Sequence, residues 1–284
     1  MAIKRLVALV GLVAALAVSP AAAQDTKRAI TQISGDLYRF QNNFHFSVFL
    51  VTDEGILVTD PINADAAAWL KAELKKRFDK PVRYLVYSHD HADHSSGGEV
   101  FADSAIVVGH ENTRSAMVEE NRPTAPPTLT FSDRMSITLG GKVVELIYVG
   151  RNHSDNSIVM HFPEERALFA VDFIPIKTLG YRNLGDSYHP DWIESLKRVE
   201  AMDFDILLPG HGPVGEKAHV ALFREYMENL YAAVLAAARD GQSLDQMKTS
   251  IRLDKYKDWG QHDNWLPMNI EGVYQRIALQ RRGN

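Results

Sequence analysis

The chain has 284 residues, of which 45% are hydrophobic and 24% charged, a globular composition long enough for one large domain or two small ones. It contains no cysteine, which excludes a thiol nucleophile, a thiolate metal ligand and disulfides, so stability must rest on the core and on any bound metal. Setting aside Lys4 and Arg5 leaves 29 basic against 36 acidic residues, a net charge of −7, which argues against a nucleic-acid or anionic-membrane partner.

Lys4 and Arg5 precede an apolar run over residues 6–18, broken by Ser19-Pro20 and followed by Ala21-Ala22-Ala23. This pattern reads as a secretory signal peptide over 1–23, cleaved after Ala23. Its 13 apolar residues fall short of the roughly 20 that span a bilayer. A periplasmic or secreted protein without a lasting membrane anchor is expected, and 24–284 is read as one domain with a helical C-terminal extension.

Residues 37–41, 45–52 and 55–59 are β-branched and aromatic runs separated by Asn42-Asn43 and Asp53-Glu54, an antiparallel meander. Asp60-Pro61 closes the third strand, and apolar residues at helical spacing predict a helix over 64–78. A buried strand over 82–87 follows, with Ser95 as the cap of a short helix running to Phe101. The spacing then predicts a strand over 105–108, a helix over 111–121 and a proline-rich loop over 122–128. Gly140-Gly141 joins strands 135–139 and 143–149, and residues 163–166 join strands 157–162 and 167–171. A helix over 192–202 is started by Pro190, strand 206–208 ends in Pro209-Gly210-His211-Gly212, and the chain is mainly helical from Lys217. Trp259, Trp265 and Leu266 suit core packing better than an interface. Two sheets packed together with helices outside satisfy this α/β order, although periodicity does not separate that arrangement from other α/β layouts.

Chemistry concentrates in Ser88-His89-Asp90-His91-Ala92-Asp93-His94, directly after a strand. Imidazole and carboxylate are the ligands that zinc and similar divalent ions prefer. Asp60, His153, Asp172 and His211 stand at four further strand ends, and together these positions amount to a metal site.

His89-x-His91-x-Asp93-His94, followed in order by His153, Asp172 and His211, resembles the metallo-β-lactamase superfamily across the mature chain. The resemblance implies a four-layer αββα sandwich of two mixed sheets with two zinc ions at one edge. His89, His91 and His153 would bind the first ion, and Asp93, His94 and His211 the second. Asp172 would bridge them, and Asp60 would orient the site. Two ions about 3.5–4 Å apart lower the pKa of a shared water toward ~7 and polarise the substrate, so no protein nucleophile is needed, and Asp93 would hold the attacking hydroxide in line. Manganese or iron would accept the same ligands.

An aspartate at position 172 sets the chain apart from the lactamase subgroup with cysteine there and makes the ligand set more like glyoxalase II-type thioesterases and lactonases. The expected activity is hydrolysis of an ester, thioester, lactone or amide/lactam bond in a small molecule, with low-level β-lactam hydrolysis included. A mononuclear iron sulfur dioxygenase and a non-catalytic exported metal-binding accessory protein are the alternatives, and oligomeric state stays open. The loop from Lys177 to His189 is placed to border the site, with Tyr181, Arg182 or His189 able to touch substrate. His45, His110, His161, His219 and His262 read as structural or surface residues.

Overall fold

Seven strands lie in chain order across the first sheet: β1 (Arg28–Ser34), β2 (Leu37–Asn42), β3 (His45–Thr52), β4 (Gly55–Thr59), β5 (Val82–Val86), β6 (Ile106–His110) and β7 (Leu129–Phe131). The computed structural model that shows them describes residues 26–279, so the expected signal peptide lies outside the described residues. β1 to β4 are antiparallel, joined by two-residue connections such as Asn43-Phe44, where Asn43 takes the left-handed conformation that tight hairpins require. β4 to β7 run parallel, because longer crossovers separate them.

The second sheet holds β8 (Arg134–Leu139), β9 (Lys142–Tyr148), β10 (Ile158–Phe162), β11 (Ala167–Val171), β12 (Ile206–Pro209) and β13 (Gly215–Glu216), again in sequential order. Only β11 and β12 pair in parallel within it. The helices are α1 (Ala64–Phe78), α2 (Ala92–Ser95), α3 (Glu111–Glu119), α4 (His189–Glu200), α5 (Ala218–Arg239), α6 (Leu244–Ser250) and α7 (His262–Leu279). Among the described residues no helix is long and apolar enough to cross a membrane.

Side-chain alternation assigns each strand residue to a layer. Leu57 of β4 and Phe169 and Val171 of β11 enter the core between the sheets with Leu50, Val86, Leu146 and Met160. Their neighbours Ile56 and Val58 instead meet Leu70 and Leu74 of α1 on the outer face of the first sheet. Leu168 and Ala170 meet Trp192, Leu196, Phe223 and Leu230 of α4 and α5 on the outer face of the second. Both faces of the central strands are buried, which is why β4 and β11 read as near-continuous apolar runs and β10 is broken only by His161. The result is the expected αββα sandwich. Leu266 is buried in the outer helical core and Trp259 and Trp265 pack against it, as the core-packing reading required.

Several boundaries differ from expectation. Strands β1, β7 and β13 gave no apolar signal of their own: β1 is half-exposed, and β13 has two residues. Ser95 ends α2 rather than capping a helix, since the turn starts inside the metal motif with His91 at its N-cap. α4 starts at His189, with Pro190 accommodated in its first turn.

The parallel pairs position the site. Thr59 of β4 sits beside Val86 of β5, so Asp60 and the Ser88–His94 segment leave the sheet at the same edge. Val171 pairs with Pro209, so Asp172 and Gly210-His211 leave the other sheet together. Backbone hydrogen bonds from Ile158 N to Ser88 O (2.9 Å) and from Phe46 N to Gly210 O (2.8 Å) join the two sheets there.

Candidate metal centre

Strain marks the strand ends that feed the centre. Asp60 and Ile62 have positive φ, and so does the β-branched Val171 immediately before Asp172. Such conformations cost roughly 1–3 kcal/mol each and persist where the surroundings impose them.

All seven expected ligand residues converge. Ligand atoms of His89, His91, His153 and Asp172 lie within 4.8 Å of one another, as do those of Asp93, His94, Asp172 and His211. Asp172 belongs to both groups. Its Oδ2 is 3.7 Å from His89 Nε2 and from His153 Nε2, while its Oδ1 is 3.2 Å from His94 Nε2 and 3.4 Å from His211 Nε2. Within the groups, His91 Nδ1 is 3.0 Å from His153 Nε2, and His94 Nε2 is 3.2 Å from His211 Nε2. Asp93 Oδ2 faces His211 Nε2 at 3.4 Å.

The outward sides of the rings are held as well. Ser88 Oγ donates to Asp60 Oδ2 (2.6 Å), leaving its lone pair for the proton on His89 Nδ1 at 2.9 Å. That relay directs the Nε2 lone pair of His89 into the cluster. Asp60 also accepts from Ser88 N (2.8 Å), and its Oδ2 lies 3.3 Å from His94 Nδ1, so it stands behind both histidines. Phe44 O accepts from His211 Nδ1 at 3.0 Å.

Charge follows the same division. Burial, and then the neighbouring His91, hold the His89 imidazole well below its usual range, and burial brings His153 down to about 4. Both are neutral with a free lone pair. Burial acts the same way on His94 and His211, but carboxylates overcome it: Asp172 and Asp60 hold His94 well above its usual range, and Asp172 and Asp93 raise His211 to about 9. Burial would raise Asp172, but His94 and His211 keep it well below the carboxylate range. The carboxylates of Asp172, Asp60 and Asp93 thus favour protons on His94 and His211, in a pocket where cations would sit. Buried His89 Nε2 and Asp172 Oδ1 have no hydrogen-bond partner, an expense that a metal bond would relieve. This donor set fits divalent ions.

Among the substrate-contact candidates, His189 is displaced. It is fully buried, stacks on Tyr231 and faces Met227 O at 3.2 Å, because its place at the head of α4 turns it into the helical core. Tyr181 leans edge-on against Trp265, and Arg182 lies over the Tyr181 ring, so both pack toward α7. The loop does border the centre, through Asp186 instead: its Oδ2 is 3.4 Å from His91 Nε2. His45, read as structural or surface, also belongs here, with Nε2 3.4 Å from Asp93 Oδ2 and its ring 4.8 Å from that of His211. Asp90, inside the motif, pairs with Arg122 at 2.7 Å and with Asn156 at 3.0 Å. No local sequence signal marked Asp186 or His45, since each meets its partner across distant chain.

A two-sheet sandwich with paired His/Asp clusters at one edge defines a class of metal-dependent hydrolase. A family model for the metallo-beta-lactamase superfamily matches residues 42–211, and the chain belongs to that superfamily. It is 26% identical over 232 residues to the 2,4-dinitroanisole O-demethylase subunit alpha of Nocardioides sp. (strain JS1661), covering 80% of this chain and 67% of that one. To the metallo-beta-lactamase type 2 of Elizabethkingia meningoseptica it is 29% identical over 159 residues, 54% of this chain and 62% of the relative. The chain therefore spans about two thirds of the length of these relatives. The solved metallo-beta-lactamase from Pontibacter korlensis shares the fold with a TM-score of 0.65 at 22% identity, over 72% of this chain and all of that one.

Proposed function

We propose that this chain is an exported, dinuclear zinc-dependent hydrolase that cleaves an ester, thioester, lactone or amide bond of a small molecule. The observation that carries the reading is Asp172, whose two oxygens divide between two histidine clusters. His89, His91 and His153 would hold one ion, and Asp93, His94 and His211 the other. Divalent ions bound in such a pair supply polarisation of the scissile group and a water acidic enough to ionise near pH ~7.

The protein's part is orientation and proton handling. Burial would raise Asp93, but pairing with His211 and His45 holds its carboxyl well below the carboxylate range. It therefore stays ionised at neutral pH, able to align water and pass a proton toward the leaving group. His45 steadies Asp93 from the first sheet. The absence of cysteine and the crowding of the pocket by ligand side chains agree with direct hydrolysis. The glyoxalase II- and lactonase-like ligand set favours ester and thioester substrates.

The test is elemental analysis of the purified protein alongside a panel of esters, thioesters, lactones and β-lactams. Two zinc ions per chain with turnover on the panel is the expected result. One iron per chain with oxygen uptake would replace it with a sulfur dioxygenase, and a zinc-loaded protein inert on the whole panel with an accessory metal-binding role.

A further inference from the structure

A liganding histidine is fixed by what its second ring nitrogen holds. His89 has Ser88 Oγ, His94 has Asp60, and His211 has Phe44 O in that place, all from strand ends or the adjoining hairpin. His91 differs in two ways. Its inward atom is Nδ1, which faces His153, so Nε2 points away from the cluster. The group beyond Nε2 is the Asp186 carboxylate, on a loop and with 72% of its side chain exposed.

An exposed loop carboxylate positions a ring only if the loop is held, and here α7 holds it. Asn269, itself bonded by Tyr226 Oη at 2.6 Å, donates through Nδ2 to Gly180 O (2.9 Å) and Arg182 O (2.5 Å). Arg276 donates to Gly185 O, next to Asp186. Gly272 lies so close to the Asn183 carbonyl that a Cβ there would collide with it. At the near end, Gly260 N bonds to Lys177 O at 2.8 Å, and at the far end Tyr188 N bonds to Asn152 O at 3.0 Å. Asn269, Gly272 and Arg276 all lie beyond residue 211, where the family match stops.

We propose that Asp186 is a positioning residue for His91, presenting its Nδ1 to the first metal, and that α7 sets this geometry by clamping the 177–188 loop. The proposal rests on the metal-centre reading above. It gives the C-terminal helices a part in the site rather than a purely covering role.

Two measurements test it. In metal-free protein, nitrogen NMR of the histidine rings should show His91 protonated at Nε2, and Asp186→Ala should shift the population toward the Nδ1–H tautomer. In a zinc–chelator competition, Asp186→Ala should weaken one of the two binding steps by about 10–100-fold and leave the other unchanged. Asp186→Asn, which can still accept from Nε2–H, should recover part of the loss. Arg276→Ala, remote from the metals, should weaken the same step by a smaller factor. Wild-type tautomer and wild-type zinc affinities in Asp186→Ala would overturn the positioning role, and an unaffected Arg276→Ala the clamp. A wild-type protein that binds no zinc would instead sink the metal-centre reading, and the tautomer measurement would still decide the Asp186–His91 relationship.

Discussion

Gly210 stands where any side chain would strike Asp172: a Cβ on it would lie 2.7 Å from Asp172 Oδ1 and 2.7 Å from His94 Cε1. The Asp172 carboxylate and the His211 loop approach this closely because β11 and β12 run parallel and end together.

Gly210→Ala is therefore expected to displace Asp172 or His94 by several tenths of an ångström. Misplacement of about 1 Å costs on the order of 100-fold in rate, so kcat should fall by up to that factor, with weakened metal binding at the Asp93–His94–His211 cluster. Steady-state kinetics with metal stoichiometry checks it; full activity with two metals bound would show that the pocket has slack to spare.

Asp60→Asn separates charge from shape. Asparagine tolerates the positive φ found at Asp60 and can still accept from Ser88, but it removes the charge facing His94 Nδ1. Zinc affinity at the Asp93–His94–His211 cluster should drop about 10–100-fold while circular dichroism stays unchanged. A loss confined to the His89 cluster would mean that Asp60 acts through Ser88 and His89 rather than through His94.

Arg122→Ala should loosen the motif from outside the metal shell. Arg122 pairs with the Asp90 carboxylate and bonds the Asp90 carbonyl, pinning the residue between His89 and His91. Hydrogen bonds to charged groups contribute about 1.5–3 kcal/mol, so the metal-free protein should lose about 2 kcal/mol in urea denaturation. An unchanged midpoint would show that Asn156 and Ser95, the other partners of Asp90, suffice.

His189 predicts an acid-sensitive core. Burial brings its imidazole down to about 4, against roughly 6.5 in the unfolded chain. Between those values the unfolded state binds the extra proton, so stability is full above pH ~6.5 and falls as pH drops toward ~4, by about 3 kcal/mol in all. His189→Phe, measured with wild type in chelator, should flatten that part of the stability–pH curve. Parallel curves would exonerate His189.

The convergence of the His and Asp residues was readable because they stand at strand ends, and strands announce themselves by continuous apolar runs such as Ala167–Val171. The short edge strands β7 and β13 were not, since three and two residues carry no period. The 177–189 loop was correctly placed beside the site, but its contacting residue was not: Asp186 faces His91, while Tyr181 and His189 turn toward α7 and Tyr231.

Sequence alone determined which side chains could bind metal and that they lie at strand ends, since both follow from residue type and local periodicity. Tertiary structure decided how they combine. His94 meets His211 across 117 residues and His91 meets His153 across 62, contacts that no local pattern encodes. It also selected the outer partners, Asp60 with Ser88, His45 and Asp186. These polar groups carry no apolar signal. The parallel pairing of β4 with β5 brings Asp60 and Ser88 to His94 and His89, the edge of the first sheet sets His45 beside Asp93, and the 177–188 loop carries Asp186 to His91.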